Sequence, residues 1–529
     1  PEPPLSVVGL MAKAARAAAE DAAQGQGLLE AVTTVACVTG GPPGDLAAAL
    51  YPNQPKSVAR ALGLGRVEVH HQRCRGGDGP QDTTTLMAQR IADGAPGTGG
   101  LVLLAGAMNA HTLRSAVRKR AQGKVYRPYE GAAGVDVLAL AREDLGWGED
   151  PGGRPEYSGT REVFNSAHER RHGLLAPVDA YPLYESRLRH RYGRSVQEHL
   201  DKVSELMSGF SRVAASDFNA PYSWRPLARS KAEIAAPSPG NRWVGWPYTK
   251  YMNAEATVDH AASWLMCSAA TAERLGVPED RWVYVHGGAY ANQGDPKLRP
   301  TWFVSRWPDH SRIPAMEAAL QGAVASAGVP VERIQHFDFY ACFPSVVQMA
   351  ADCLGLDHAD PRGFTVTGGL PYYGQCGTIS SVVAMLEVLK LPENRGHFGL
   401  VSGNGGLGQK HSAGVYSTAP PSRPFREADR AATQALVDAT PAPPFTEAPR
   451  GRAEILTYSV RHGRAGPARC LLVGRLLATG EHFVANTPAD PALFEAMQSS
   501  EWIGRTGVVA TSAGGLSIFT PEPERSSRL

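Results

Sequence analysis

Four glycine-rich segments of this 529-residue chain hold the side chains whose types could do chemistry. Each segment lies where a strand is expected to end, and open α/β sheets bind their ligands at such ends. We therefore expect the four segments to surround one site. They are residues 74–81, 340–344, 368–377 and 403–408.

The side chains in these segments define what such a site could do. Thiols can act as nucleophiles or acids, while phenol hydroxyls and amides can hydrogen-bond a carbonyl oxygen. The candidate catalytic residues are Cys74, Tyr340, Cys342, Tyr373, Gln375, Cys376 and Asn404. The candidate substrate-binding residues of the loops are Gly76, Gly77, Asp78, Gly79, Gly374 and Gly405.

The elements that must position these loops follow one pattern, in which apolar runs alternate with helical segments. The runs lie at residues 32–38, 67–69, 101–105, 261–268, 282–286 and 335–340. Helices are predicted at residues 10–23, 81–92, 111–120, 313–327 and 344–354. Such alternation indicates β-α-β units around a parallel sheet. The predicted fold class is α/β, with the same unit used twice.

Two regions depart from this alternation. Residues 124–249 are rich in aromatic residues, Pro and Gly, with a helix predicted at 196–210, and this composition is typical of an insertion over a site. The chain becomes Pro-rich after Tyr416, with one helix predicted at 427–439. Short β-type runs then alternate with Gly turns and predict a small barrel. Those runs are residues 452–461, 468–477, 482–486 and 507–511.

The bulk composition excludes several classes of protein. A formal charge of +2 with scattered basic residues gives no electrostatic footprint for nucleic acid. The seven cysteines form no C-x-x-C pair, so neither a disulfide framework nor a bound metal is expected. The sequence has no apolar run long enough to span a membrane and no signal peptide. We therefore expect a cytoplasmic protein, and heavy use of Ala, Gly, Pro and Arg suggests a bacterial one.

The most distinctive stretches are residues 339–344, 367–371 and 410–417. On these stretches the chain resembles the thiolases, most closely those linked to sterol carrier protein. Within them it resembles the branch called thiolase-like protein type 1 with an additional C-terminal domain. The resemblance covers nearly the whole chain, and it implies a duplicated, five-layered α-β-α-β-α core. It also implies an OB-like barrel at the end.

The resemblance divides the chain into five parts. The N-terminal half of the core is expected at residues 1–123 and 250–275, and the inserted loop domain at 124–249. The C-terminal half is expected at 276–418, a Pro-rich linker at 419–450 and the OB-like domain at 451–529. The family's usual first strand, before the predicted helix at Leu10, is expected to be absent or to lie outside this sequence.

The first loop carries the largest departure from the family. Thiolases place a nucleophilic Cys in a Cys-Ser-x-Gly-x-Gln turn before a helix, where backbone N–H groups and the helix dipole stabilise the thiolate. Here the turn is residues 76–81, and the resemblance puts Gly76 on the nucleophile. The nucleophile is therefore expected to be lost. Cys74, two residues earlier, is either a substitute in a shifted turn or an inert thiol in the preceding strand.

The second loop replaces the family's His-Asp-Cys-Phe with Tyr340-Ala341-Cys342-Phe343. The family His helps to build the hole for the thioester oxygen, and a Tyr can donate one hydrogen bond in its place. The alternative is that Tyr340 only packs under the loop.

The third and fourth loops have also lost the family's acid–base residues. In the third, Gly374-Gln375-Cys376 replaces Gly-His-Pro, and Cys376 is either an active-site thiol or a buried inert one. In the fourth, Asn404 stands where the family's second Cys is expected, and its glycines could equally serve strand packing. Ordinary thiolase turnover is therefore not expected.

Three functions remain open. The first is an acyl-CoA-binding protein of the acetyl-CoA acetyltransferase class, in lipid metabolism, that lacks standard thiolysis. The second is a retro-aldolase acting on a β-hydroxyacyl-CoA. For it Tyr340, Tyr372, Tyr373, Asp338 and Cys342 are the candidate acids or bases. Related aldolases that shorten steroid side chains use a partner with an OB-fold, which the tail resembles. The third is a non-catalytic acyl-CoA scaffold.

CoA recognition is expected to rest on scattered side chains, because the chain has no phosphate-binding glycine motif. Arg187 and Arg191 are the candidates for the CoA phosphates, with a solvated helix face as the alternative. No covalently bound cofactor is expected. Thiolases generally dimerise through the strand before the nucleophile turn, which here carries His70, His71 and Arg73. These charges favour a monomer over a homodimer.

Overall fold

The computed structural model describes residues 4–22, 25–39, 44–74, 76–120, 135–160, 162–295, 297–374 and 377–522. The first part of the core contains α1 (Val7–Asp21), α2 (Gly25–Leu29), β1 (Val32–Thr39), α3 (Gly44–Leu50), α4 (Gln54–Leu62), β2 (Val69–Arg73), α5 (Gly79–Ala92), β3 (Leu101–Asn109) and α6 (Ala110–Arg120). The inserted region contains α7 (Val137–Glu143), β4 (Glu156–Ser158), α8 (Ala167–Arg171), α9 (Pro177–Arg191), α10 (Val196–Ala214), α11 (Lys231–Ala235), β5 (Trp243–Trp246) and β6 (Tyr248–Thr249).

The second part of the core contains β7 (Asp259–Met266), α12 (Ala269–Arg274), β8 (Tyr284–Asn292), α13 (Pro314–Ala327), β9 (Ile334–Asp338), α14 (Pro344–Cys353), α15 (Ile379–Lys390), β10 (Phe398–Gly405) and β11 (Lys410–Ser417). The linker and tail contain α16 (Arg430–Asp438), β12 (Gly451–His462), β13 (Pro467–Leu476), β14 (His482–Asn486), α17 (Pro491–Ser499), β15 (Thr506–Thr511) and β16 (Ser517–Pro521).

The core consists of two sheets with helices between and outside them. The first sheet has the order β4-β2-β1-β3-β7, and only β7 runs antiparallel to its neighbour. The second has the order β8-β11-β10-β9. The helices α5 and α15 contact both sheets and each other, while α1 and α4 cover the first sheet and α13 covers the second. This is the predicted α-β-α-β-α order.

The central strands are apolar because both faces of their sheet are covered. Strand β3 is buried from Leu101 to Met108, and β10 and β11 are buried along their whole length. Such strands lose the alternation of apolar and polar residues that marks a half-exposed strand. This explains why the apolar runs at residues 32–38 and 101–105 predicted β1 and β3 so closely.

Strand β2 is where the strand prediction fails. The sequence pattern placed a strand at residues 67–69, but the structure has it at Val69–Arg73, with the sequence Val-His-His-Gln-Arg. Polar side chains form this strand because partners satisfy them: the His71 ring bonds Ser158 Oγ at 2.9 Å, and Arg73 pairs with carboxylates. Periodicity cannot detect a buried strand of paired polar residues.

The tail forms the predicted barrel. Strand β12 pairs with both β13 and β15, and the order β13-β14-β16-β15-β12 closes the ring. The pattern did not predict helix α17 or strand β16. The inserted region contributes to two sheets: β4 extends the first sheet beside β2, and β5 pairs with β12, with Val460 opposite Trp246. Trp246 is buried in the barrel core.

Candidate functional site

The four glycine-rich loops meet around Gly77. A Cβ atom on Gly77 would lie 2.3 Å from the hydroxyl of Tyr340 and 2.3 Å from the carbonyl oxygen of Asn404. A Cβ on Gly377 would lie 3.1 Å from Gly77 Cα. Loops one, two, three and four are therefore in direct contact, as the strand-end pattern predicted. Only a residue without a side chain fits at Gly77.

The first loop is a tight turn between β2 and α5. Gly76 has a φ of +154°, and its carbonyl accepts a hydrogen bond from Gly79 N at 3.0 Å. Thr378, from the start of α15, donates its hydroxyl to Gly77 O at 3.1 Å and accepts from Gln81 N at 3.3 Å. The third loop thus holds the first loop in place.

A buried ion network lies behind this turn. Arg73 Nη2 is 2.7 Å from Asp78 Oδ2 and 2.8 Å from Asp82 Oδ2, and Lys410 Nζ is 3.5 Å from Asp78 Oδ1. All four residues are at most 2% exposed. Asp82 also pairs with Arg430 of α16 at 2.8 Å. The network therefore joins the first loop to β11 and to the linker helix.

Burial and partner charges act in opposite directions on the pKa values of Asp78 and Lys410. Burial opposes the charge of Asp78, but the cations of Lys410 and Arg73 outweigh it and lower the pKa of that carboxyl. Burial lowers the pKa of Lys410, and the carboxylate of Asp78 counteracts part of that effect. Each charge is stable because its partner is within contact distance.

The same network fills the space in front of Gly76. A Cβ on Gly76 would lie 2.1 Å from Asp78 Oδ1 and 2.7 Å from Lys410 Nζ. Any side chain at this position, including a thiol, would displace one of the two ions. Cys74 lies partly exposed just beyond the end of β2, where its N–H donates to Ser158 O at 2.9 Å.

Uncharged hydrogen-bonding groups line the other side of the loops. Asn404 Nδ2 donates to the Tyr181 hydroxyl at 2.7 Å and to Cys342 Sγ at 3.6 Å. The Tyr181 ring stacks on Phe343 with ring centres 4.5 Å apart. The backbone N–H of Tyr340 donates to Ser402 Oγ at 3.0 Å. The second and fourth loops are thereby tied together through Tyr181.

Burial decides the protonation of Cys342. It raises the pKa of this thiol to about 12, with only partial compensation from Tyr181 and Asn404. Cys342 is therefore a neutral thiol near pH 7, and as a candidate catalytic group it is a hydrogen-bonding partner and not a thiolate.

Asp338 holds the third loop in place through hydrogen bonds. Its Oδ1 accepts hydrogen bonds from Thr365 Oγ1 at 2.8 Å, Val366 N at 2.9 Å and Thr367 N at 3.2 Å. Burial raises the pKa of this carboxyl. Asp338 therefore anchors the third loop, and its role as an acid or base stays a prediction.

A strap from the inserted region covers the third loop. Trp224 N and Arg225 N donate to the carbonyls of Tyr373 and Tyr372, both at 2.9 Å. A Cβ on Gly374 would lie 2.6 Å from Trp224 Cβ, so Gly374 is needed for this close approach. Burial raises the pKa of Tyr373. Gln375 and Cys376 lie outside the described residues.

Arg187 and Arg191 have partners away from the four loops. Arg187 Nε is 3.4 Å from Asp309 Oδ1, and Arg191 Nη1 is 3.3 Å from Asp352 Oδ2. Their part in phosphate binding stays a prediction, and each would first have to leave a carboxylate.

Sequence reasoning missed several residues of the site. Tyr181 and Tyr184 come from helix α9 of the inserted region, and Tyr184 donates its hydroxyl to Leu407 O at 2.5 Å. Lys410 and His411 lie inside the distinctive stretch 410–417, and that stretch was the signal in the sequence that could have identified them. His411 faces Asn404 across the β10–β11 pair, and burial lowers its pKa to about 4. Nothing in the local sequence marked Tyr181.

The part of the chain that the structure describes contains no group of three or more His, Cys, Asp or Glu residues placed to hold a metal. It also has no helix that is both long and apolar enough to cross a membrane.

The chain is similar to a known protein family and to solved structures. Residues 433–513 match the family model of the thiolase-like protein type 1 additional C-terminal domain. No curated protein matches the sequence. A monomeric SCP2-thiolase like protein type 1 from Mycobacterium smegmatis is 29% identical, with a TM-score of 0.76, and the match covers 98% of this chain and 95% of that one. The Acat5 thiolase from Ascaris suum, solved with coenzyme A, is 15% identical, with a TM-score of 0.49 and coverage of 78% and 94%.

Proposed function

This chain belongs to the thiolase superfamily, in its branch of thiolase-like proteins of type 1, and from that premise we propose that the four-loop site binds an acyl-CoA thioester without performing thiolysis. The meeting of the loops at Gly77 supports a thioester site. Tyr340, Cys342 and Asn404 offer neutral hydrogen-bonding groups beside it. By descent the protein belongs with the acyltransferases of lipid metabolism.

The space in front of Gly76 carries the second half of the proposal. Thiolysis needs a covalent acyl-enzyme, and the resemblance places the nucleophilic Cys at Gly76. Asp78 Oδ1 and Lys410 Nζ occupy the volume that such a side chain would enter. This occupied volume supports the proposed lack of thiolysis, because a side chain at Gly76 would have to displace one of the two ions. This favours chemistry without an acyl-enzyme.

Three assays on the intact protein test the proposal. They are calorimetric binding of CoA and acetyl-CoA, CoA-dependent cleavage of acetoacetyl-CoA, and release of an aldehyde or ketone from a β-hydroxyacyl-CoA. We expect binding without acetoacetyl-CoA cleavage. Thiolysis that disappears in Cys74→Ser would overturn the proposal, because it would place the nucleophile two residues upstream. Absence of CoA binding would remove the thioester site.

A retro-aldolase is the second candidate, and the position of Tyr340 favours it. Retro-aldol cleavage needs an acid or base at the hydroxyl and a donor that stabilises the enolate, but no acyl-enzyme. The hydroxyl of Tyr340 lies against the Gly77 backbone at the meeting point of the loops. Carbonyl release that depends on Tyr340 would support this candidate. Binding of acyl-CoA without any turnover would favour the third hypothesis, a non-catalytic acyl-CoA scaffold.

A basic cluster beside the third loop offers a place for the CoA phosphates. Burial lowers the pKa of Lys250, and the nearby cations of Arg225, Arg242 and Arg114 lower it further, while the carboxylate of Glu255, which pairs with Arg225, counteracts part of that effect. Close cations that depress one another's charge favour a bound anion. Trp224, whose indole meets the His111 ring edge-on at 5.2 Å, lies next to Arg225 and offers an aromatic surface.

Matched charge removals compare the two phosphate candidates. We expect Lys250→Met to weaken CoA binding roughly fivefold, and Arg187→Met to leave it nearly unchanged, because Arg187 already has a carboxylate partner. Calorimetry at constant ionic strength gives both dissociation constants. If Arg187→Met weakened CoA binding more than Lys250→Met, Arg187 and Arg191 would be the better candidates for binding the CoA phosphates.

We also propose a cytoplasmic monomer. In the first sheet β4 pairs with β2, so that Glu156 lies opposite His71 and the sheet edge beyond β2 is covered by the chain itself. An edge that is already paired does not offer its backbone to a second subunit. Light scattering coupled to gel filtration tests this, and a concentration-independent dimer would contradict it.

A further inference from the structure

Helix α9 reaches from the inserted region into the four-loop site with two tyrosines. Tyr181 bonds Asn404 at 2.7 Å, and the hydroxyl of Tyr184 bonds Leu407 O at 2.5 Å. Both contacts are with the fourth loop, and Tyr181 also lies against Cys342 and Phe343 of the second. A small tilt of α9 would therefore move hydrogen-bonding groups of two loops.

The opposite side of α9 is held by the C-terminal barrel. Arg461 of β12 lies 3.4 Å from Asp179 in the first turn of the helix. In the middle, Thr457 Oγ1 donates to Leu183 O. Near the end, Arg189 donates from Nη2 to the Tyr458 hydroxyl at 3.1 Å. The barrel thus contacts the beginning, the middle and the end of the helix.

Arg189 is buried and has several partners at once. Its guanidinium is 1% exposed, lies 5.3 Å from the centre of the Trp246 ring and bonds Glu501 Oε1 at 3.0 Å. A buried guanidinium with a hydroxyl, a carboxylate and an aromatic face as partners is rigid in position. It fixes the end of α9 against β5 and β12 together.

Residues outside the barrel also hold this helix, since Arg187 and Arg191 near its end pair with Asp309 and Asp352 of the core. Glu185, which is fully buried, accepts from Gln348 Nε2 at 2.7 Å and from the Tyr248 hydroxyl at 2.5 Å, and it pairs with His199. Glu185 therefore anchors the middle of α9, and the barrel contacts at Asp179, Leu183 and Arg189 add to the core contacts that set its tilt.

We infer that the C-terminal barrel is a positioning element of the four-loop site: through Arg461, Thr457 and Arg189 it helps to set the tilt of α9, and α9 sets Tyr181 and Tyr184 against the second and fourth loops. The catalytic meaning of this coupling rests on the proposed function. The coupling itself is a property of the fold, and Cys342 reports it directly.

The reporter is the rate at which Cys342 reacts with iodoacetamide in the full-length protein, measured by peptide mass spectrometry. Cys342 is 7% exposed and bonded to Asn404, so it reacts only when α9 and the loops separate. Cys37, which is 0% exposed in β1, is the internal reference for global unfolding. A rise at Cys342 alone therefore measures local opening.

Arg189→Met is expected to raise the Cys342 rate at least about tenfold while the rate at Cys37 stays unchanged, since it removes a buried charged hydrogen-bonding group. Arg189→Lys keeps the charge but loses the forked geometry, so its Cys342 rate is expected to lie between those of the wild type and Arg189→Met. Thr457→Val should act in the same direction as Arg189→Met. Arg475→Met is the matched control, because Arg475 pairs with Glu454 on the barrel surface away from α9.

Equal Cys342 rates in wild type, Arg189→Met and Thr457→Val would overturn the inference. So would a parallel rise at Cys37, because the effect would then be global. CoA affinity is measured on the same samples and is expected to fall with the rise at Cys342. Absence of CoA binding in the wild type, with the thiol response intact, would end the proposed function and leave the coupling standing.

Discussion

On one side of the four-loop site Arg73, Asp78, Asp82 and Lys410 form a buried network of full charges, whereas on the other side Tyr181, Tyr340, Cys342 and Asn404 are neutral. We call these the charged side and the neutral side. Every member of the charged side is ion-paired. Among the described residues, buried atoms without a hydrogen-bond partner occur on both sides: Arg73 Nε and Asp78 Oδ1 on the charged side, and Asn404 Oδ1 on the neutral side.

The difference shows which functions each side can serve. Paired buried ions hold a backbone in place but resist any ligand that would separate them, since an unpaired buried charge costs several kcal/mol. Neutral donors and acceptors in a buried site can exchange partners at much lower cost. The charged side therefore maintains the turn at Gly76 and Gly77, and the neutral side is the part of the site suited to a polar ligand.

Loss of one ion should produce the largest effect. Lys410→Met removes a counter-ion of the fully buried Asp78, and we expect the free energy of unfolding to fall by about 3 kcal/mol. Urea unfolding measures it. Lys390→Met is the control, because Lys390 pairs with the partly exposed Asp21 and should cost less than about 1 kcal/mol. Equal losses in the two variants would mean that the charged side has no special role in stability.

On the neutral side the expected effect is on activity. If β-hydroxyacyl-CoA cleavage is found, Tyr340→Phe should reduce kcat by about 100-fold, which is typical for loss of one donor to an oxyanion. Stability should change little, because the ring and its packing remain. Tyr284→Phe, in β8, is the control. An active Tyr340→Phe protein would assign the donor to another residue and weaken the retro-aldolase candidate.

Restoring the family's thiol should not restore its reaction. Gly76→Cys places a Cβ 2.1 Å from Asp78 Oδ1, and we expect no cleavage of acetoacetyl-CoA and a loss of about 2 kcal/mol of stability. Gly451→Cys has a similar positive φ of +117° with open space around it, so its loss should be smaller. Recovery of thiolysis would show that Asp78 and Lys410 separate readily. It would contradict the view that the charged side resists such a separation.

The smallest expected effect is a difference in pH dependence. The lowered pKa of Asp78 keeps its contribution to stability intact above about pH 4 and loses it only at more acid pH. His411, whose pKa is lowered to about 4, contributes fully above pH 6.5 and loses that contribution as the pH falls from 6.5 towards 4.

Substitution separates the two contributions. Between pH 6.5 and 4, His411→Gln should make the fall in unfolding free energy shallower by at most about 1.4 kcal/mol per pH unit. Chemical unfolding at several pH values measures this slope. Identical slopes in wild type and His411→Gln would contradict the assignment of a neutral, buried imidazole to His411.

The sequence by itself determined much of the core. Strands β1 and β3 are apolar runs covered on both faces, so their local composition is sufficient to predict them, whereas no apolar run predicted β10 or β11. The meeting of the four loops also followed from the sequence, because parallel strands bring their ends to one edge. Helix α5 after the first loop and the barrel strands β12 to β15 were predicted for similar local reasons.

Only the tertiary structure decided what the loops face. Lys410 pairs with Asp78, Tyr181 bonds Asn404, and Trp246 fills the barrel core, all across long separations in the chain. Such partners leave no periodic or local signal, because a buried polar residue looks like an exposed one until its partner is known. Local composition therefore determines which strands and helices form, while the pairing of buried polar groups is a property of the packed molecule alone.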